Sequence, residues 1–481
     1  MGDEKEQGTC AGAPSLEKGT VMRILPLTAA VVVTLALPMA TAFAAHAPFA
    51  DPAQVGPYAV GFTSFVAHDP SRQTEIGDRP IAIYVWYPVD RRAITKSTPE
   101  AIYRLDPILG PETPEPVVTP EAAPMPTTTS SQWEAFGVDR AYQEPRPSSG
   151  RPFPLVMYSP GLTDAAWVDL YLAVRLASHG FVVAATTHYG EAAMWWDPPF
   201  GHLATAAVDR PRDVSFALTR ILERNLAHGD RLHGLIRPDR IAASGHSYGG
   251  YAAMALAGGD ELVCDVFQTP LLSEWFGMPP EESCVASPAD PRIKAIVELD
   301  GSAWVLWWRE LHRVHVPSLI LGQDWDRVQW DNARPHAAFS GFPNLRVDVL
   351  HSAHRPSFSG FCESARLLGQ VGFLRPETVD QWLSSSECDA PYLIAPAVAH
   401  GLITKYMVAF LKVNLAGDLR YAPPLVPALA NRREPDLGFV ASEWPRLGIP
   451  PDERECRFGY FPQARSRERL QADKEYWVPC P

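Results

Sequence analysis

The chain predicts an α/β architecture, a mostly parallel β-sheet with helices on both faces. Three observations carry that expectation. From Pro152 onward, short apolar runs alternate with helix-length segments, and strands joined through helices lie parallel in one sheet. One run, Arg240–Ser244, passes through a glycine-flanked serine, Gly245-His-Ser-Tyr-Gly249, into an Ala-rich helix start at 248–258. Finally, 46% apolar residues in 481 suffice for a large core.

Taken in order, residues 1–47 read as an export signal, with translation expected to start at Met22. Arg23 supplies the positive end, Ile24–Pro38 the apolar run, and Ala40-Thr-Ala42, Ala42-Phe-Ala44 or Ala45-His-Ala47 a cleavage site. Asp3, Glu4 and Glu6 ahead of it do not suit such a signal. A membrane anchor or a buried helix fits less well, because the apolar run is short and interrupted by proline. The catalytic-type domain is expected over 48–416. It opens with strands at 60–65 and 79–89, the second nearly continuously apolar. Residues 105–150 form a Pro-rich excursion, with seven prolines between Pro107 and Pro126 and one helical turn expected around 133–142. Strands then follow at 153–159, 181–186, 240–244, 293–299, 318–321 and 345–350, with helices at 165–179, 210–224, 248–258 and 395–415. Insertions are expected at 260–291 and 359–393. Residues 417–481, rich in proline and charge, read as an irregular C-terminal extension.

A formal charge of −13 leaves no basic stripe to neutralise phosphates and excludes a nucleic-acid binder. No Cys-x-x-Cys or His-Glu-x-x-His spacing occurs, so neither a metal nor another cofactor is expected. Setting aside Cys10, six cysteines remain, an even number behind an export signal. Neighbour pairs are expected: Cys264 with Cys284, Cys362 with Cys388, and Cys456 with Cys480.

Strand, Gly-x-Ser-x-Gly and helix together form a nucleophile elbow, a turn so sharp that the residues flanking the serine must be nearly free of side chain. Ser247 is therefore the expected nucleophile. A serine hydroxyl needs a base to take its proton, and in this layout acid and base arrive later in the chain, after further strands. His354, far enough beyond the 345–350 strand to curl over the sheet edge, is the expected base, with His351 as the alternative. Asp300, Asp324 and Asp326 all follow strands and are candidate acids; a strand-terminal Asp300 is held more rigidly than an aspartate in the Trp-flanked loop. For the developing oxyanion, backbone N–H donors are expected from Tyr248 and from Leu162 in the Ser159-Pro-Gly-Leu162 loop. Trp304, among several tryptophans near these loops, is expected to contact substrate in an apolar cleft.

Several stretches make the pattern specific. Ser159-Pro-Gly-Leu162, Leu176-Ala-Ser-His-Gly-Phe-Val-Val183, Gly245-His-Ser-Tyr-Gly-Gly250, Leu299-Asp-Gly-Ser-Ala-Trp304 and Ser352-Ala-His-Arg-Pro-Ser-Phe358 resemble the platelet-activating-factor acetylhydrolase family. That family grades into predicted dienelactone hydrolases and secreted polyester-degrading esterases. The resemblance spans roughly residues 55–415, with gaps. It implies an α/β-hydrolase fold, a carboxylic-ester hydrolase working through an acyl-enzyme on short-chain acyl esters, and Asp300 as the acid in preference to Asp326 or Asp324. The chain departs from the family in Pro160, where histidine is usual, in both insertions and in the extension, which bears on substrate identity. Ser247 disfavours a dienelactone substrate, whose hydrolases use cysteine. The alternatives are a polyester or cutinase-like hydrolase, an amide hydrolase on the same triad, or a catalytically silent binding protein of this fold. The expected partner is a small or lipid ester and the location secreted or periplasmic, without stable membrane insertion after signal cleavage; oligomeric state is not read from the sequence.

Overall fold

A computed structural model describes residues 49–74, 77–104, 127–190, 203–267, 285–323, 329–426 and 437–440. The expected export signal, Cys284, Cys456, Cys480, Asp324 and Asp326 lie outside the described residues. The N-terminal strands are β1 (Ala59–Thr74) and β2 (Gly77–Val89), paired antiparallel. Two short strands, β3 (Ile102–Arg104) and β4 (Thr127–Thr129), pair with each other. Helix α1 (Ser130–Glu134) follows and leads to β5 (Ala141–Gln143), which lies parallel to β1. The helical turn thus starts earlier than expected, and 141–143 is a strand instead. The reason is local: Gln132 closes a capping box by accepting from the Thr129 N–H at 2.8 Å, which starts the helix at Ser130.

The remaining strands are β6 (Phe153–Ser159), β7 (Val182–Thr187), β8 (Ile236–His246), β9 (Ile293–Leu299), β10 (Ser318–Gln323), β11 (Asn344–Val349) and β12 (Leu437–Val440). They build a ten-stranded sheet in the order β12-β11-β10-β9-β8-β6-β7-β2-β1-β5. Strands β6 to β11 run parallel to one another, and β2 joins β7 antiparallel. The segment 417–481 is therefore not irregular throughout, because β12 adds an antiparallel edge strand to β11. Alternate side chains of the parallel strands feed two core layers. Val156, Val183, Ala242 and Val297 share one core with helix α2 (Leu170–Ser178) and the long helix Pro396–Asn414. Leu155, Met157, Ile241 and Ile296 share the other with helices α3 (Leu203–Leu226) and α4 (Tyr248–Gly258). This is the α/β-hydrolase fold.

Two helices differ from expectation. Helix α2 begins at Leu170, five residues late, because Asp169 is taken up in tertiary contacts: its carboxylate accepts from the Tyr158 hydroxyl at 2.6 Å and the Gly360 N–H at 2.9 Å. Helix α3 begins seven residues early and runs through Pro211. Proline has no N–H for the carbonyl four residues back, and the Tyr251 hydroxyl donates to that Ala207 carbonyl instead, at 2.8 Å. Tyr251 also lies in hydrogen-bond contact with the Asp260 carboxyl. A phenol has one proton to give, so with that proton on Ala207 the Asp260 carboxyl supplies its own. Consistently, burial and then Glu310 push Asp260 up to about 8.

In the 359–393 insertion, Cys362 of the helix Phe361–Gln370 is disulfide-bonded to Cys388, which follows the helix Pro376–Ser385, with Cα atoms 5.7 Å apart. Cys264 is also disulfide-bonded. Among the described residues no helix is long and apolar enough to cross a membrane.

The raised Asp260 sets a pH dependence. The folded protein holds a proton that the unfolded chain releases near the usual 3.8, so this contribution is complete below pH 4 and is lost as pH rises to about 8. Asp169 and Glu363, each pushed up to about 7 chiefly by burial, act in the same sense below that pH. Between pH 7 and 8 the melting temperature is expected to fall, and Asp260→Asn to flatten the fall. An equal slope in the variant would show that Asp260 is ionised in the fold.

Candidate active site

The strand order reverses around β6: the chain moves from β6 to β7 on one side, then returns to β8 on the other. Open α/β sheets bind ligands beyond the carboxyl ends of their strands at such a switch point. Here those ends carry Ser159, followed by the Pro160-Gly161-Leu162 loop, and His246, followed by Ser247.

Ser247 has φ 54° and ψ −118°, outside the region open to most side chains. Its N–H donates to the Leu299 carbonyl at 3.0 Å, and its carbonyl accepts from Gly250 at 2.9 Å and Ser302 at 3.0 Å. The two flanking glycines are required sterically. A Cβ on Gly245 would lie 2.3 Å from the Gly249 backbone, and one on Gly249 would lie 1.9 Å from the Ser159 carbonyl oxygen. Helix α4, apolar on all sides and buried, then carries the chain away beneath the sheet edge.

Asp300 stands one residue past β9, with φ 47° and its N–H donating to the Leu321 carbonyl of β10 at 2.7 Å. Its buried carboxylate accepts from His354 Nδ1 at 2.5 Å, Gln323 Nε2 at 2.7 Å and Asn332 Nδ2 at 2.8 Å, with the Gln323 N–H further off at 3.4 Å. His354 opens the short helix His354–Phe358, and its side chain keeps 36% exposure while Asp300 has none. The ring of His354 lies 4.5 Å, centre to centre, from that of His246, the residue before Ser247. His246 Nε2 donates to the His354 carbonyl at 3.2 Å. Burial, then the nearby His354, holds His246 well below the usual imidazole range, so it stays neutral beside its neighbour.

The structure thus brings Asp300 and His354 into direct contact beside the elbow that bears Ser247. His351 is exposed, and its carbonyl accepts from Ile394. Tyr248 opens α4 directly after the serine, and Leu162 lies in the loop after β6. Trp304 is 6% exposed and packs between Tyr248 and Phe267, at 6.4 and 6.1 Å. Gln323 and Asn332 were not anticipated as donors to Asp300. Gln323 ends β10, the immediate neighbour of β9, and that adjacency was the available signal. Among the described residues no group of three or more His, Cys, Asp or Glu is arranged to hold a metal ion.

Residues 50–198 match the family model of platelet-activating factor acetylhydrolase, isoform II. The chain resembles that family. No curated protein matches the chain. Among solved structures, a ferulic acid esterase from Streptomyces cinnamoneus is similar over 80% of this chain and 97% of its own, at 20% identity and a TM-score of 0.49. The family match supports a carboxylic ester hydrolase.

In a helix, alanine is ordinarily about 1 kcal/mol better than glycine. At Gly249 the reverse is expected, since a Cβ there would overlap the Ser159 carbonyl. Gly249→Ala should give little soluble protein, or a melting temperature many degrees lower. A well-folded, fully stable variant would show that the β6 end can withdraw from α4.

Proposed function

We propose that the protein is an exported serine carboxylic-ester hydrolase that works through an acyl-enzyme on short-chain acyl esters. The observation that carries the reading is the 2.5 Å contact between buried Asp300 and half-exposed His354, beside the strained turn at Ser247.

In this reading Ser247 is the nucleophile. Asp300, an acceptor when ionised, takes the Nδ1 proton of His354 in a hydrogen bond and so leaves Nε2 as the base. His354 removes the Ser247 hydroxyl proton as the oxygen attacks the ester carbonyl, then returns it to the departing alkoxide. A water molecule, deprotonated by the same ring, releases the acid from the acyl-enzyme. The Tyr248 and Leu162 N–H groups stabilise the negative carbonyl oxygen in both tetrahedral intermediates. Asp300 is the acid in preference to Asp326. Gln323 and Asn332 support this choice, because they fix its carboxylate plane in the orientation His354 requires. Export is supported by the Cys362–Cys388 disulfide, a bond that persists in oxidising compartments. Short acyl chains are supported by the family resemblance.

Ser247→Ala is expected to fold and to lose ester hydrolysis by several orders of magnitude, and Asp300→Asn to lose about 10⁴ in kcat by analogy with serine-protease triads. Wild-type turnover in purified Ser247→Ala protein would rule out the mechanism. A large loss in Asp326→Asn with an active Asp300→Asn would move the acid to the following loop. On p-nitrophenyl esters, acetate and butyrate should exceed acyl chains of about twelve carbons in kcat/KM, as expected for a small acyl pocket; the opposite ranking would identify a lipase.

A further inference from the structure

Below the proposed catalytic groups lies a second Ser–His–Asp array. His188 Nδ1 is 2.9 Å from Asp213 Oδ2, and its Nε2 is 2.9 Å from Ser159 Oγ. All three side chains are buried, Asp213 completely. Asp213 is also paired with Arg72 at 2.7 Å and Arg79 at 2.9 Å. Burial alone would raise its pKa, but Arg79 and Arg72 outweigh burial and hold the carboxylate well below its ordinary range. An ionised carboxylate only accepts, so His188 donates through Nδ1, and its Nε2 is hydrogen-bonded to the Ser159 hydroxyl.

The Ser159 oxygen then accepts from Arg210 at 3.3 Å. With the serine sealed from solvent and capped by a guanidinium, this array is built to hold a position and cannot attack a substrate. Arg210, itself fully buried on α3, donates to the Pro160 carbonyl at 2.5 Å and the Gly161 carbonyl at 2.9 Å. Its guanidinium also lies over the Tyr248 ring, 5.7 Å from the centre. In a trans peptide the carbonyl and the following N–H point in opposite directions. The Gly161 carbonyl accepts from Arg210 at 2.9 Å and, within the turn, from the Asp164 N–H at 3.1 Å, so Arg210 adds to the turn's own bond in fixing the direction of the Leu162 N–H.

We propose that Arg210, seated by the Asp213–His188–Ser159 chain, is the positioning residue that aims the Leu162 N–H at the oxyanion. The proposal rests on the reading of Ser247 and Leu162 given above. Arg210 touches no reacting atom; it sets the plane of the peptide that does. The Asp213–His188–Ser159 chain is its brace: Ser159→Ala removes the brace but leaves both carbonyl contacts of Arg210, and so should cost less than loss of Arg210.

The test compares Arg210→Ala, Arg210→Lys, Ser159→Ala and Ser247→Ala on p-nitrophenyl butyrate, with thermal melts for each. Loss of one oxyanion donor costs about 10²–10³ in kcat, and Arg210→Ala is expected to lose about 10² with KM changed by less than about threefold. Inhibition by a trifluoromethyl ketone, whose serine adduct carries an oxyanion, should weaken by the same factor as kcat/KM. Added guanidinium at millimolar concentration should restore part of the lost kcat, which a purely structural defect would not allow. Arg210→Lys, able to serve one carbonyl, should fall between. A folded Arg210→Ala with wild-type kcat, or with a loss confined to KM, overturns the proposal. Should Arg210→Ala not fold, Arg210→Lys decides, and its full activity overturns the proposal as well. Ser247→Ala separates the two readings: if it is inactive while Arg210→Ala is active, only the positioning role fails, whereas an active Ser247→Ala removes the catalytic reading itself.

Discussion

The arrangement depends on one backbone contact, the approach of α4 to the end of β6. Gly249 leaves no atom between its own Cα and the Ser159 carbonyl, and Gly245, in register with Ser159, allows the helix to turn back over the strand. Because β6 and β8 are the strands on either side of the switch in sheet order, this contact brings the two loops that follow them together. One loop carries Ser247 and Tyr248, the other Leu162. A single methyl group between them would separate the proposed nucleophile from its proposed oxyanion donor, and no rearrangement of side chains could compensate.

A second backbone device holds Ser247 and, one strand further along, Asp300. Ser247 and Asp300 both have positive φ, a conformation that costs a non-glycine residue of order 1–3 kcal/mol. Each is held there by an extra rung of the sheet ladder. The Ser247 N–H bonds to Leu299 on β9, and the Asp300 N–H bonds to Leu321 on β10. The strain is thus set by the sheet, which is rigid, and directs both side chains out of the pleat at the same edge. The buried Asp300 carboxyl then has its hydrogen-bonding capacity met by three close partners, Gln323, Asn332 and His354.

The sheet was legible because its strands are continuous apolar runs, and the elbow because steric need leaves a strict residue pattern. Helix α4 and strand β9 have the boundaries expected from sequence. What could not be read depended on partners distant in the chain. Helix α3 extends through Pro211 only because Tyr251, forty-four residues later, satisfies the stranded carbonyl. Helix α2 starts late because Asp169 is committed to Tyr158 and Gly360. The strand β12 pairs from within a segment whose proline and charge content resembles a tail. In the site, Ser247, Asp300 and His354 were visible as candidates, but Gln323 was hidden because it ends a strand whose reading stopped at Leu321. Arg210 was read only as the start of a helix.

The buried charges behind the Pro160-Gly161-Leu162 loop are a poor way to gain stability, since desolvation of Arg72, Arg79, Arg210 and Asp213 offsets much of their attraction. An apolar core of the same volume would pack β7 against α3 as well. It would not, however, define where the Pro160 and Gly161 carbonyls point, because apolar contacts have no direction. Hydrogen bonds do, and a guanidinium with two donors on adjacent carbonyls fixes two peptide planes at once. The cost of burying ions is therefore spent where the proposed function needs angular precision.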